Sequence, residues 1–573
     1  MTRTLAVLAL LAVPFASGLV FSPRLTLEQY SNPKLAAILV LLGAAGLARP
    51  GMFHPRRLAE TPALAAWLAA VAVSTVLSSS PLLSALGAHS TLNGALTAAA
   101  CVLLFMAATA AAPGFLPRFQ SSVLAAGALS AAYAVAATAG ADPFRGELFR
   151  HARAFAGNPD FLAQQLAMAL PFAVAFGLTG RASLYLPLSV LLAAALSLSA
   201  SRAGLFAAVS GVALVAASFR SDPRARSRFA AVLFALVAGF IAGETMQSPS
   251  MRTGARLAGL AEPGTIMRSR GTMWMGVMAV IREHPLLGHG PDALGTAFLR
   301  HAPPGWAAVE GAGTTVERAH DSILEEAAAT GLAGLGLLAW FVACLVRGLP
   351  RRLAAPGTAA AAAAVLAYAV HNLFSFGTPA TTPVLWVLLG LLQGTGRAEY
   401  ATRTGLVATI RCAAAGLALF GAVRFCADGW AFRGNEAERA GMPAAPEFWR
   451  LASALAPFET AYLTRYGAAL EKTGRFEEAL VPYGQAAARL PLNGLALGNL
   501  GRARFSAGLA GRTPEAMRLA LDEMVRAAEL SPSQPTLWLA AGEAARRLGN
   551  RALADELKGR MEAETGEGPA TAR

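Results

Sequence analysis

Between two long apolar stretches, the segment from Gly243 to His320 carries Arg252, Arg256, Arg268, Arg270, Arg282, Arg300 and Arg318. It also holds four of the chain's eight histidines, His284, His289, His301 and His320. A guanidinium offers a planar fork of donors that suits phosphate and pyrophosphate oxygens. An imidazole titrates near neutrality and can accept a proton in its neutral form. Together they suit chemistry on a phosphorylated substrate. The familiar alternatives are absent from the sequence: it has no paired Cys/His metal spacing, phosphate-binding glycine loop, Gly-x-Ser-x-Gly elbow or acidic cluster of the kind that holds Mg²⁺. No metal and no cofactor is expected. Cys101, Cys344, Cys412 and Cys426 show no paired spacing, so neither a disulfide framework nor a metal site is inferred.

Outside the insert, Arg202 stands in Ser199-Ala200-Ser201-Arg202-Ala203-Gly204, a turn between two apolar segments. An arginine near the membrane interior costs ~2.5–3.5 kcal/mol on insertion scales. Either it has a partner or a task, or it snorkels to the interface. Arg268 and Arg270 open an apolar-rich helix that continues through Trp274 to about Ile281. Cations are disfavoured at a helix N-terminus, and a bound anion would relieve that conflict. The bland alternative is an interfacial amphipathic helix. His320, before Asp321-Ser322-Ile323, reads as a first-turn residue whose charged form the helix dipole disfavours. It is either a neutral base or a satisfied cap. His289, flanked by glycines in Pro285-Leu286-Leu287-Gly288-His289-Gly290-Pro291, reads as structural but remains a candidate substrate contact. Asn158 reads as a helix cap with Pro159 at the first helical position, and Arg153 just upstream could add to a cationic site.

The elements that must position these residues are membrane helices. Of the 573 residues, 55% are hydrophobic and only 14% charged, against about 25% charged in a soluble domain. Apolar runs of roughly the ~20 residues that a bilayer core requires fall at 4–20, 35–48, 63–78, 93–112, 121–139, 161–178, 182–199, 203–219, 229–243, 322–346, 357–376, 383–394 and 404–423. The 383–394 run is short, and the first run could be mistaken for a signal peptide. The net charge of +14 is almost all arginine, because lysine occurs only at Lys34, Lys472 and Lys558. These arginines sit in short loops between apolar runs, a pattern of membrane topology and not of a nucleic-acid face.

By the positive-inside rule the loops with Arg49, Arg56 and Arg57; Arg118; Arg181; Arg220 to Arg228; Arg347 to Arg352; and Arg397 to Arg403 are cytoplasmic. Loops 21–34, 79–92, 140–160, 200–202, 244–320 and 371–382 are then extracytoplasmic, and so is everything after 423. The fold class expected is all-α: a polytopic bundle of about twelve or thirteen membrane helices over 1–428, with loop 244–320 on its outer face.

A helical-repeat region follows over 429–565. Pro457, Pro491 and Pro532 are spaced by 34 and 41 residues, as are Gly467, Gly501 and Gly542, and Gly474, Gly508 and Gly549. A 34-residue period is that of tetratricopeptide repeats, with seven residues inserted between Gly508 and Pro532. Lys472-Thr473-Gly474-Arg475-Phe476-Glu477-Glu478-Ala479 resembles that family's turn between paired helices. The repeats either bind a protein partner or cap the membrane domain. Residues 566–573 read as a disordered tail.

In order along the chain, Gly157-Asn158-Pro159-Asp160-Phe161-Leu162-Ala163, Ser201-Arg202-Ala203-Gly204, Arg270 with Trp274, Pro285-Leu286-Leu287-Gly288-His289-Gly290-Pro291, and Ala319-His320-Asp321-Ser322-Ile323-Leu324-Glu325 before Gly331-Leu332 resemble the O-antigen ligase and polymerase superfamily. The resemblance covers about residues 140–350. It implies a glycosyltransferase of the bacterial inner membrane, with its large loop and repeats in the periplasm. The donor would be an undecaprenyl-pyrophosphate-linked glycan and the acceptor a lipid, glycan or protein hydroxyl. Carried over by position, Arg202 and Arg270 would hold pyrophosphate and His320 would activate the acceptor. Asp321 departs from the asparagine common at that place, and its carboxylate could raise the pKa of His320.

Two rivals stand beside this reading. An anion transporter would show paired broken helices in the membrane region, which the sequence does not announce. A membrane-anchored scaffold would work through its repeats.

Overall fold

The computed structural model describes residues 2–112, 114–142, 153–180, 182–253, 255, 266–303, 306–311, 314–349, 353, 355–394, 400 and 403–565. The expected tail, 566–573, lies outside them. Every regular element among the described residues is helical, as the apolar periodicity predicts. Each apolar run corresponds to one helix, from Thr2–Leu19 and Ser31–Ala48 through Pro159–Thr179, Arg202–Ser218 and Ser322–Gly348 to Thr404–Arg439.

Not all are long enough to span alone. Seven helices are long and apolar enough to cross a membrane, or eight if the pair Pro50–Ala59 and Pro62–Leu77, bent by 96°, counts as one. Ala95–Thr109, Arg202–Ser218 and Thr382–Gln393 are shorter apolar helices. At about 1.5 Å per residue, a helix of 12–17 residues reaches roughly 18–26 Å, short of a ~30 Å hydrocarbon core.

The helices of the membrane part pack tightly where small residues meet. Gly204 lies against Ala163, Gly127 against Ala169 and Gly239 against the backbone of Val190; a methyl group at any of them would collide. Close approach of this kind is how apolar helices associate when lipid removes the hydrophobic drive.

The loops sort into two faces. On one, Lys34 Nζ donates to the Phe155 carbonyl (2.7 Å), Asn93 Nδ2 to that of Gly377 (3.0 Å) and Arg270 to that of Phe374 (3.2 Å), while Ser90 meets Glu317 (2.9 Å). These contacts join loops that the charge pattern placed together. On the other face, Arg57 lies over the ring of Tyr400, Gln120 donates to Gly357 and Arg228 to Leu178, joining the arginine-bearing loops.

Helix Thr404–Arg439 runs unbroken through residue 428, so membrane part and repeats share one rigid element of about 54 Å at 1.5 Å per residue. The repeats then form antiparallel pairs: Thr460–Lys472 with Phe476–Arg489, Gly494–Ala510 with Pro514–Leu530, and Pro535–Arg547 with Arg551–Thr565. The recurring glycines have a packing reason, since Gly467 faces the ring of Tyr483 and Gly501 faces Met524. The seven extra residues lengthen both helices of the second pair, to 17 residues each from 13 and 14 in the first.

Candidate active site

Helix N-termini build the site. Asn158 caps helix Pro159–Thr179, its side chain accepting the Asp160 N–H at 2.8 Å. Ser201 caps Arg202–Ser218 by accepting from Gly204 N at 3.1 Å, after a left-handed Ala200 that turns the chain sharply. Asp321 caps Ser322–Gly348, one carboxylate oxygen accepting from Ile323 N (2.8 Å) and Leu324 N (3.0 Å). Arg270 lies near the start of Ile266–Glu283. Each of these starts leaves backbone N–H groups at the positive end of a helix dipole.

The structure brings the first residues of these helices together. The charge on Arg270 is felt from Arg202, Asp160 and Asp321, and that on His320 from Arg270, Asp160, Arg318 and Glu310. Burial, assisted by Arg202, pushes the Arg270 guanidinium below its usual range against the pull of both carboxylates. Arg202 and Arg270 are thus held near each other with Asp160 and Asp321 beside them, a grouping whose guanidinium donors suit a polyvalent anion.

His320 corrects the sequence reading in one detail. It precedes the cap, in a left-handed conformation (φ 50°), and is not a first-turn residue. Its ring opens to the cleft and meets Phe376 edge-on, with centroids 5.2 Å apart. Surrounding protein, then Arg270, lowers its pKa from the ordinary 6.5. Asp321 does not raise it as anticipated, because its carboxylate is turned into the helix cap. Trp274 acts on the same loop, donating its indole N–H to the Ala319 carbonyl at 2.9 Å.

Other sequence candidates lie elsewhere. Arg153 stands beside Tyr30, whose ionisation it favours, in the pocket where Lys34 ties the 20–34 loop to Phe155. The side chain of Arg268 lies outside the described residues. His289 is buried at the far end of the insert helix, its Nε2 donating to the Val280 carbonyl at 2.9 Å. It is not with Arg270 and His320. Ligand atoms of Glu283, His284 and His289 lie within 4.8 Å of one another, but Glu283 is already gripped by both Arg300 nitrogens (3.0 and 3.1 Å) and by His301 (2.7 Å). These residues form a charge-balanced cluster.

The Pro285–Pro291 motif has a structural task. Helix Ser322–Gly348 breaks at Gly331 (φ 69°, ψ −177°). The groups freed by the break pair with the motif: His289 N with Ala328 O (2.9 Å), Gly290 N with Ala329 O (2.9 Å), Leu332 N with Pro285 O (2.8 Å) and Ala333 N with Leu286 O (3.2 Å). Gly288 and Gly331 stand so close that neither has room for a methyl group. No broken helix is announced by the sequence, yet this span is broken at Gly331 and the pair Pro50–Ala59 and Pro62–Leu77 is bent, whereas paired broken helices are the mark of the transporter rival. The groups freed at Gly331 are filled by the loop, where a transporter would leave them lining a cavity.

Sequence reasoning also missed Phe374 and Phe376. They flank the cleft after helix Pro356–Asn372 and touch Phe206, Phe161, His320 and Arg318. The Phe-Ser-Phe spacing in an outer loop was the available signal.

The fold is thus a multi-pass helical membrane protein with a cationic cleft among helix N-termini on one face. A family model described as O-Antigen ligase matches residues 187–339, the part that contains Arg202, Arg270 and His320, and this part of the chain is similar to that family. That match supports a ligase- or polymerase-type membrane glycosyltransferase. No curated protein matches the chain.

Proposed function

We propose that this protein transfers a glycan from an undecaprenyl-pyrophosphate carrier to an acceptor hydroxyl on the extracytoplasmic face of the bacterial inner membrane, with the large loop and the repeats in the periplasm. The observation that supports this reading is the nearness of Arg270 to Arg202 on one side and to His320 on the other, close to helix N-termini. The acceptor oxygen attacks the anomeric carbon as its proton passes to the neutral imidazole of His320. The bond from that carbon to the pyrophosphate oxygen breaks, and the charge left on undecaprenyl pyrophosphate is met by both arginines and the helix dipoles. Pyrophosphate is a good leaving group once so stabilised. Exposed Phe206, Phe374 and Ile323 near the cleft suit an apolar donor tail.

The repeats read as tetratricopeptide-like and rest against the site-bearing insert: Gln534 donates to the Thr314 carbonyl, and helix Arg551–Thr565 packs on Trp306–Glu310. That contact favours a protein partner or protein acceptor delivered beside the cleft. The test is incubation of purified protein with undecaprenyl-pyrophosphate glycan and lipid, glycan and protein acceptors, followed by analysis of which gains sugar. Gain by the lipid defines a ligase, by the glycan a polymerase, and by the protein an O-oligosaccharyltransferase. Uptake of labelled anion into proteoliposomes, with no lipid-linked sugar consumed, would overturn the reading.

A further inference from the structure

The loop that carries His320 is fixed by a buried ion-pair ladder with no part in bond making or breaking. Arg318, almost wholly enclosed, pairs through Nη2 with Asp292 at 2.8 Å and through Nη1 with Glu325 at 2.8 Å. Its guanidinium lies 5.4 Å from the centroid of the Phe376 ring, the same ring that His320 meets edge-on. Both partners are themselves held. Asp292 accepts on its other oxygen from Ala88 N (2.9 Å), Asn93 N (2.9 Å) and the Thr91 hydroxyl (2.7 Å). Glu325 accepts the Ala319 N–H at 2.8 Å with its second oxygen, and the Ala319 carbonyl takes the Trp274 indole N–H. Residues on both sides of His320 are therefore pinned, and its left-handed backbone aims the ring at the cleft.

We propose that Arg318, clamped between Asp292 and Glu325, is a positioning residue for His320, fixing the imidazole against Phe376 on the acceptor side of the cleft. This rests on the reading of His320 as the group that takes the acceptor's proton. The charged groups facing that imidazole are Arg270 from helix Ile266–Glu283, Asp160 from Pro159–Thr179, Glu310 from Trp306–Glu310, and Arg318 from its own loop. Both arginines favour the neutral ring and both carboxylates oppose them, so Arg318 also helps keep His320 unprotonated. A side chain that touches no substrate thus fixes the place of one that does and adds to the groups that favour its neutral form.

The test uses full-length protein in nanodiscs and two readouts. One is transfer rate; the other is the pH midpoint for reaction of His320 with diethyl pyrocarbonate, read on its peptide by mass spectrometry. Arg318→Met is expected to slow transfer by about a hundredfold, the cost of an ångström-scale misplacement, and to move the His320 midpoint upward. Arg318→Lys restores the midpoint but not the rate, since one ammonium cannot span both carboxylates in the bidentate manner. The double variant Arg318→Met/Asp292→Asn leaves no lone buried carboxylate at position 292 and so guards against simple misfolding; it is expected to keep both defects. Wild-type rate and midpoint in a folded double variant would overturn the proposal. Should the wild type transfer no glycan while the midpoint still follows Arg318, positioning stands and the transferase reading falls.

Discussion

Arg270 donates a hydrogen bond to the carbonyl of Phe374 across 3.2 Å, tying the polar insert to the loop that follows helix Pro356–Asn372. The bond places a guanidinium over the cleft at the meeting point of a loop helix and a membrane helix end. Arg202 reaches the same place from a third element. Asp160 and Asp321 offset part of the repulsion between the two guanidiniums, and an anion bound between them would offset the rest.

Arg270→Ala should therefore reduce glycan transfer by ~10²–10³-fold, the usual loss when one donor to a developing oxyanion is removed. The protein should stay folded, since the fold loses one hydrogen bond and sheds a repulsion. Initial rates with the lipid-linked donor, alongside gel filtration in detergent, check both halves. Normal transfer by this variant would take Arg270 out of the mechanism.

The pH profile follows from His320. The protein around it and Arg270 shift its pKa downward from 6.5, which favours the neutral ring at neutral pH. Transfer should be flat through pH 7 and fall on an acid limb centred below pH 6.5. Asp160 opposes the depression, so Asp160→Asn should carry that limb to still lower pH. An acid limb centred above 6.5, or unmoved in His320→Gln, would assign the proton to another group.

How far the sequence revealed this architecture depends on the kind of information involved. Apolar periodicity located each membrane helix because burial in lipid demands a run of uncharged residues wherever a helix crosses. Arginines in the short loops follow a separate rule, the positive-inside bias, and contacts join several of those loops in pairs. Caps were also legible: Asn158 before Pro159 needs only local backbone chemistry. What stayed hidden was long-range pairing. Nothing local marks Gly331 as the partner of Gly288, or Arg318 as the partner of Asp292, because each pairing arises when the insert folds back on the bundle. The placing of His320 in the first turn has a different, local origin: the cap falls on Asp321, so the helix begins after His320. His289, read from its flanking turn residues as structural with a substrate contact as the alternative, is buried with its ring on the Val280 carbonyl.

Gly331→Ala tests the docking of the Pro285–Pro291 motif. The backbone there (φ 69°, ψ −177°) is almost closed to residues with a Cβ, at a cost of ~1–3 kcal/mol, and the new methyl would strike the backbone of Leu286. Gly336→Ala, one turn and a half further along the helix, has open space around it and serves as the control. The thermal midpoint in detergent should drop for the first and hold for the second. Equal midpoints would mean that the break relaxes without loss.

Asp428 provides the link between membrane part and repeats. Fully buried, it accepts from His89 Nε2 (2.8 Å), the Tyr462 hydroxyl (2.7 Å) and the Glu28 N–H (3.0 Å), thereby joining two outer loops to the first repeat helix. One turn earlier Arg424 bridges Asn32 (3.2 Å) and Glu459 (3.1 Å) in the same way. Removing one partner from a buried charged network costs ~3–5 kcal/mol, much of it from donors left without an acceptor. Asp428→Ala should accordingly loosen the repeats from the outer loops and open the stretch near Glu459 to limited proteolysis. Tyr462→Phe, which deletes one donor and leaves the carboxylate its other two, should cost only ~1 kcal/mol and leave the cleavage pattern unchanged. If both variants resist protease as the wild type does, the repeats are held chiefly by the continuous helix Thr404–Arg439, and the polar network is secondary to it.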